Sequence, residues 1–389
     1  MIGAGFCEPG ATMIGAGFCE PAVLAGVLSL AVAFALAVGL TPIVRRWARR
    51  RDFVDRPGGP GGHKAHERPT PFGGGIAITV GVIVPIAAVL VAARCSSPQP
   101  GGFFEAFTAW APDALHWLGG IGQKTPEALA IIAGALVMHL LGLMDDHRPL
   151  PPMLKLVVQA VTALVLTGWF GVRAAEALGP VVAVVVSSLW IVALTNAFNF
   201  MDNMDGLSAG VAVIAAMVLA VSAFLAGQVF VPCLLLLVAG AVGGFLVYNF
   251  PPASIFMGDA GSLVVGYLLA VCTILTTFYD PDMGRTPFGV LVPLVVFAVP
   301  LYDMGSVIVY RLHLGVSIFR SDRRHFSHRL VRRGLSPRLA VLTVYLATLA
   351  TSLPAILLPL HGWPVAMLIL AQCLAVVAII AILELNDGT

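Results

Sequence analysis

Mostly apolar blocks, each about 20 residues long, recur along the whole chain and are cut by short polar joins. A helix that crosses a bilayer needs about 20 such residues. Eleven stretches qualify: 22–44, 73–93, 127–144, 153–171, 179–197, 207–226, 229–247, 261–279, 288–310, 339–359 and 363–383. Several joins are a handful of polar, glycine or proline residues, and the two larger hydrophilic ones are 45–72 and 311–338. Because lipid cannot hydrogen-bond the backbone, such blocks read as helices. The pattern predicts an all-α, polytopic membrane protein of about eleven transmembrane helices, built as one domain over 22–389. The first 21 residues stand apart, since MIGAGFCEP at 1–9 recurs unchanged at 13–21. They read as a duplicated start region or tail and are set aside from the fold.

Composition agrees with the bilayer as solvent: 59% of residues are hydrophobic and 11% charged, too few polar groups to cover a water-exposed surface. Charge placement then orients the chain. No basic residue precedes the first apolar block and many follow it, which predicts an uncleaved anchor with its N-terminus outside. With that start, 18 of the 22 Lys and Arg residues fall in cytoplasmic joins, and Arg94, Lys124, Arg173 and Arg285 are the 4 outside. The excess is that expected of cytoplasmic loops, and it puts the C-terminal tail in the cytoplasm. In the outer join, Phe103, Phe104, Phe107, Trp110 and Trp117 predict a short interfacial helix. The six cysteines form no CxxC pair and read as small apolar residues, with neither a disulfide framework nor a zinc site.

The same span count gathers acids from distant joins on the cytoplasmic face: Asp145 and Asp146, then Asp202 and Asp205, then Asp259. Two adjacent carboxylates at a membrane boundary need a cation or a proton nearby, and Lys155, at the start of the next block, is a candidate partner. A solvated turn between helices is the plain alternative. In the second join, Asn196, Asn199, Asp202 and Asp205 recur every three residues. Each step of three turns a helix by about 300°, so one straight helix cannot aim all four at one point. The span is expected to end near Asn199, with a turn at Asp205-Gly206, unless Asp205 simply caps the next helix. In the third join, small residues surround Asp259 just before a helix N-terminus, a place that suits an anion such as phosphate. Few oxygen donors, with no His or Cys at metal spacing, suit Mg²⁺ or Mn²⁺ and phosphoryl chemistry on a nucleotide.

Counter-charge comes from the block holding Arg320, Arg323, Arg324, His325, His328, Arg329, Arg332 and Arg333, and from His63, Lys64, His66 and Arg68. Part of it serves topology or anionic lipid. Asp303, inside the ninth block, is an intramembrane acid, hence a site candidate or a buried structural acceptor. Gly73–Gly75 reads as close helix approach. No P-loop, no dinucleotide-binding fingerprint and no nucleic-acid module is present, so no nucleic-acid partner is expected.

From about residue 41 to 340 the chain resembles the polyprenyl-phosphate N-acetylhexosamine-1-phosphate transferases. That superfamily holds the WecA-type GlcNAc-1-phosphate transferases and the phospho-MurNAc-pentapeptide translocase. The resemblance rests on five motifs in order: His63–Gly75, Asp145-Asp146 with Lys155, Asn196–Leu207, Asn249–Leu263 and the block at 325–328. It implies transfer of a sugar-1-phosphate, GlcNAc-1-phosphate in the WecA-type branch, from a UDP-sugar to polyprenyl phosphate with release of UMP. Membrane lipids surround the protein, and a homodimer is admitted. Asp145, Asp146, Lys155, Asp202 and Asp205 take catalytic positions in the resemblance, and Asn199 and Asp259 hold the Mg²⁺. Lys64, Asn196, Asn249, Arg323, Arg324, His325, His328 and Arg329 bind substrate. Two positions depart from the pattern: Ser327 stands for the middle histidine of His-x-His-His, and Asn203 stands where glycine is common. On pattern alone Ser327→His should be tolerated. The translocase and, further off, an ion-coupled transporter are the alternatives. A transporter would show paired repeats and midplane acids, whereas here no half-to-half repeat is visible and the acids lie at one face.

Overall fold

A computed structural model describes residues 20–56, 69–95, 124–317 and 325–385. The helices are α1 (Glu20–Arg50), α2 (Gly74–Cys95), α3 (Thr125–His147), α4 (Pro152–Leu164), α5 (Pro180–Met201), α6 (Leu207–Leu225), α7 (Phe230–Asn249), α8 (Asp259–Leu275), α9 (Val292–Val296), α10 (Ala298–His313), α11 (Phe326–Arg332), α12 (Pro337–Ser352) and α13 (Trp363–Leu385). Proline opens α4, α5 and α12, where its fixed φ suits the first turn and its missing N–H costs nothing.

Among the described residues nine helices are long and apolar enough to cross a bilayer, ten if 287–296 and 298–313, bent by 61°, form one span. The remaining expected span, 261–279, the eighth in order, is shorter than expected. It is α8, 17 residues from Asp259 to Leu275, about 26 Å long against a hydrocarbon core of about 30 Å. Gly258 before it and the extended Thr276 after it set those limits.

Every residue of α8 from Ala260 to Thr273 is buried. A helix apolar all round belongs inside a bundle, and α8 packs against α2, α3, α5, α6 and α7. Small residues allow the approach. A Cβ at Gly142 of α3 would lie 2.3 Å from the Ala260 nitrogen, and one at Gly75 of α2 would lie 2.4 Å from the Gly261 nitrogen. The expected role of the 73–75 glycines is thereby met. Side chains with small faces are what bring helices together in lipid, where apolar burial drives nothing.

Two features tie off the ends. At one end a two-residue antiparallel ladder, β1 (Val54–Asp55) with β2 (Thr70–Pro71), is the one sheet among the described residues. It continues into the loop before α8 through Phe256 N to Pro71 O at 2.9 Å, Gly74 N to Phe256 O at 2.9 Å and Gly75 N to Met257 O at 3.0 Å. Hydropathy cannot reveal such backbone stitching. At the other end the buried Arg285 donates to the Leu225 and Thr277 carbonyls, and Gln228 bonds Leu275 O and Thr277 N. The outer-join helix expected around Phe103–Trp117 lies outside the described residues.

Candidate active site

The C-terminal ends of α3, α5 and α7 and the N-terminal ends of α4, α6 and α8 meet at one end of the bundle, and the acids ride on those ends. Asp146 closes α3 and accepts from Asp259 N at 2.8 Å and from Ala260 N at 3.2 Å. Its carboxylate therefore satisfies two of the orphan N–H groups that open α8. Gly258 makes this possible twice over: its φ is +70°, and a Cβ there would fall 2.4 Å from Asp146 Oδ2. The helix N-terminus that reads from sequence as a phosphate seat is thus filled by the protein's own acid.

Asp145 takes the other side. Its Oδ1 accepts from Leu150 N at 2.7 Å and its Oδ2 from Lys155 Nζ at 2.8 Å. Lys155 also reaches Asp259 Oδ2 at 3.0 Å, so one ammonium at the start of α4 bridges the acids of α3 and α8. Among the described residues it is the one cation in ion-pair contact with Asp145, Asp146, Asp202 or Asp259.

The second join resolves its own geometric conflict. The α5 helix runs on to Met201, and the turn closes at Gly206 with φ +73°. Asn196 donates to Gln159 and to Val192 O, toward α4. Asn199 donates to Ser262 on α8 at 3.0 Å, which leaves its carbonyl oxygen as the donor atom for a cation. Asp205 does not cap α6; it crosses to the third join and accepts from Ala253 N at 2.8 Å. Asp202 makes no hydrogen bond through its carboxylate among the described residues. Though partly open to solvent, this carboxyl is pushed well above the usual carboxylate range, first by burial and then by the negative charge of Asp259, Asp146 and Asp205. A bound cation would reverse that push.

Asn249, a substrate-binding position in the resemblance, holds two loops in the structure. It is 3% exposed; its Oδ1 accepts from Gly206 N at 2.9 Å and its Nδ2 donates to Ile255 O at 3.0 Å. Both ends of the amide are engaged, so it braces two loops. Arginines of the basic joins do similar work: Arg338 donates to Pro251 O and Arg45 to Ser254.

The histidine block lies beside this cluster. His325 is buried, with Nδ1 2.8 Å from Asp303 Oδ2, and Asp303 Oδ1 accepts from Phe326 N at 3.2 Å. The intramembrane acid thus holds the ring and the start of α11, and Phe200 packs against that ring edge-on. His328 follows on α11, half-buried. Arg329 spends part of its guanidinium on Glu384 O and lies over the Tyr310 ring. Ser327 is 2% exposed and donates to Asn203 Oδ1 at 2.8 Å. This burial and the bond to Asn203 weigh against the expected tolerance of Ser327→His, because an imidazole there would crowd that partner. Lys64, Arg323 and Arg324 lie outside the described residues. Sequence reasoning assigned no role to Ser262 or Glu384, and nothing in their local pattern marks them.

The donor set can be tested against a divalent ion. Among the described residues no three His, Cys, Asp or Glu side chains group as a metal cage. Mg²⁺ does not need one, because it takes one or two carboxylates and completes its shell with water and substrate phosphate. Asp202 and Asp259, with the Asn199 oxygen, match that demand.

The capping role gives a stability prediction. Asp146→Ala leaves two buried N–H groups without an acceptor and should cost about 2–3 kcal/mol, read as a lower thermal midpoint in detergent. Asp146→Asn, which keeps one acceptor oxygen, should lose less. Equal midpoints for all three proteins would rule out the cap.

Comparison with known proteins follows the same lines. Residues 128–277, which carry all five acids and Lys155, match the family described as Glycosyl transferase family 4. The chain is 32% identical over 340 residues to a probable undecaprenyl-phosphate N-acetylglucosaminyl 1-phosphate transferase of Bacillus subtilis (strain 168), covering 85% of this chain and 84% of that one. It is 32% identical over 310 residues to the decaprenyl-phosphate N-acetylglucosaminephosphotransferase of Mycobacterium tuberculosis (strain ATCC 25618 / H37Rv), covering 72% and 70%. With the undecaprenyl-phosphate alpha-N-acetylglucosaminyl 1-phosphate transferase of Escherichia coli (strain K12) it shares 26% over 246 residues, 59% and 65% of the two chains.

Proposed function

This chain belongs to glycosyl transferase family 4, among the polyprenyl-phosphate N-acetylhexosamine-1-phosphate transferases, and from that premise we propose that it moves GlcNAc-1-phosphate from UDP-GlcNAc to a polyprenyl phosphate. One observation carries the reading: Asp145, Asp146, Asp202 and Asp259, from three separate joins, gather in one cluster in which Lys155 bridges Asp145 and Asp259. So many carboxyl groups crowded at a membrane boundary, where burial and mutual repulsion disfavour their charged forms, suit a site completed by a divalent cation that binds a diphosphate.

In the reaction, an oxygen of the lipid phosphate attacks the β-phosphorus of the sugar nucleotide. The bond from that phosphorus to the oxygen bridging the two phosphates breaks, and UMP leaves with the electron pair. A phosphate monoester has its second pKa near 6, so the attacking oxygen is already mostly ionised at pH 7 and needs placement more than a base. Asp145 and Asp259 hold Lys155 Nζ at 2.8 and 3.0 Å, where it can neutralise phosphate oxygens. Asp202, Asp259 and the Asn199 oxygen would hold Mg²⁺ or Mn²⁺, which when bound offsets charge on the diphosphate. Asp303 fixes His325 by Nδ1 and leaves Nε2 for the sugar nucleotide. The names of the relatives favour GlcNAc over the muramyl-pentapeptide substrate of the alternative reading.

The reading is tested by UMP release from a panel of UDP-sugars, using purified protein, undecaprenyl phosphate and Mg²⁺. UDP-GlcNAc should be turned over fastest, and a preference for the muramyl-pentapeptide nucleotide would move the chain to the alternative.

The site would face the cytoplasm from the cytoplasmic membrane, because 18 of the 22 Lys and Arg residues fall in joins on that side of the span count. In a background without native cysteines, Gly61→Cys and Leu335→Cys should be shielded from an impermeant thiol reagent in intact cells, while Pro100→Cys reacts. Labelling of the first two would invert the orientation.

A further inference from the structure

We propose that the Asn203–Ser327 hydrogen bond is a latch that sets the position of the histidine helix over the acid cluster, making Ser327 a positioning residue for the sugar nucleotide. The inference rests on the transferase reading and adds a specific device to it.

The bond joins residues 124 apart in sequence. Asn203 follows Asp202 directly, the carboxylate that makes no hydrogen bond among the described residues. Its amide is fixed at both ends: Nδ2 donates to Phe200 O at 2.8 Å, and Oδ1 accepts from Ser327 at 2.8 Å. The first contact satisfies a carbonyl left over at the end of α5; the second fastens the next turn to α11. Ser327 is 2% exposed and sits between His325 and His328 in the chain. From the other side α11 is held by Asp303, through His325 and Phe326 N, and by Glu384 O, through Arg329. Asp303 and Glu384 belong to α10 and α13, so those contacts, like the packing of Phe200 on the His325 ring, hold α11 to helices beside the acid cluster and not to the 202–206 turn itself. The Asn203–Ser327 bond is a side-chain hydrogen bond that does reach the turn.

A buried hydroxyl has a polar partner or carries a penalty. Here the partner lies one residue from a candidate metal ligand, so a change at 327 moves the histidines relative to Asp202 without touching either. The effect should appear in nucleotide binding. Ser327 also cannot grow: an imidazole at that position must displace Asn203.

The test is steady-state kinetics with UDP-GlcNAc on Ser327→Ala, Asn203→Ala, their double variant, Ser327→Thr and Ser327→His. Each alanine variant should raise KM for UDP-GlcNAc about 2- to 10-fold, the weight of one hydrogen bond. Their kcat and their KM for the lipid phosphate should stay close to wild type. The double variant should be no worse than the worse single one, because the two changes remove one interaction. Ser327→Thr, which keeps the hydroxyl, should retain most of the affinity. Ser327→His should be worse than Ser327→Ala, and adding Asn203→Gly should recover part of that loss by making room. Multiplicative losses in the double variant, or Ser327→His at wild-type KM, would overturn the latch. If wild-type protein releases no UMP from UDP-GlcNAc, the transferase reading fails instead. The same alanine cycle read by thermal unfolding then decides the latch: coupled losses keep it and additive losses remove it.

Discussion

Asp259→Asn is expected to lower UMP release by roughly 10²- to 10³-fold while leaving the helical bundle folded. The two halves of that outcome come from different atoms of one residue. The Asp259 backbone N–H is what Asp146 grips at 2.8 Å, and the amide side chain of asparagine does not disturb it. The carboxylate is what meets Lys155 at 3.0 Å and acts electrostatically on Asp202. Asparagine keeps the shape and the start of α8 but removes the charge from the centre of the cluster. Lys155 stays anchored by Asp145. Thermal unfolding in detergent should therefore move by only a few degrees. Activity within about tenfold of wild type would remove Asp259 from the chemistry and leave it a helix-end residue.

Chelation should have an effect as large. With EDTA in excess, turnover should fall to background, and Mg²⁺ or Mn²⁺ should restore it. The physical reason is that burial, and then the crowding of Asp202 by Asp259, Asp146 and Asp205, disfavours its charged form until a cation binds. A diphosphate brought to that cluster meets like charge unless a cation comes with it. Asp202→Asn should then raise the Mg²⁺ concentration needed for half-maximal rate, on top of a lower ceiling. Full activity in a chelator would sink the divalent-ion assignment, and an unchanged Mg²⁺ requirement in Asp202→Asn would take that residue out of the metal shell.

Much of this was legible in the sequence for physical reasons that can be named. Lipid forces long apolar helices, so ten of the eleven expected stretches appear as spans once the bent pair is taken as one. The short α8 eluded the count because hydropathy does not separate a helix buried in protein from one bathed in lipid. The convergence of acids followed from parity of span number, and the Lys155 contact from the need of Asp145 for a cation. What stayed hidden depends on which polar atom meets which. Asp146 fills the α8 N-terminus, Asn249 is consumed by two backbone partners, and Asn196 turns to Gln159. A motif lists polar residues together, but their side-chain hydrogen bonds divide them into those that hold loops and those left to face a ligand. Ser327 and Asn203 are the clearest example. In sequence they are two separate departures from a pattern, and in the fold they are one hydrogen bond.

The most direct test uses UDP-GlcNAc labelled at its β-phosphorus, with undecaprenyl phosphate, Mg²⁺ and purified protein. Transfer of sugar-1-phosphate carries the label into the lipid fraction and releases unlabelled UMP in equal amount, and this is the expected result. Label left in water as UDP, with unlabelled sugar on the lipid, would mean that the glycosidic bond breaks instead of the diphosphate, and would contradict the assignment of this site to phosphoryl transfer.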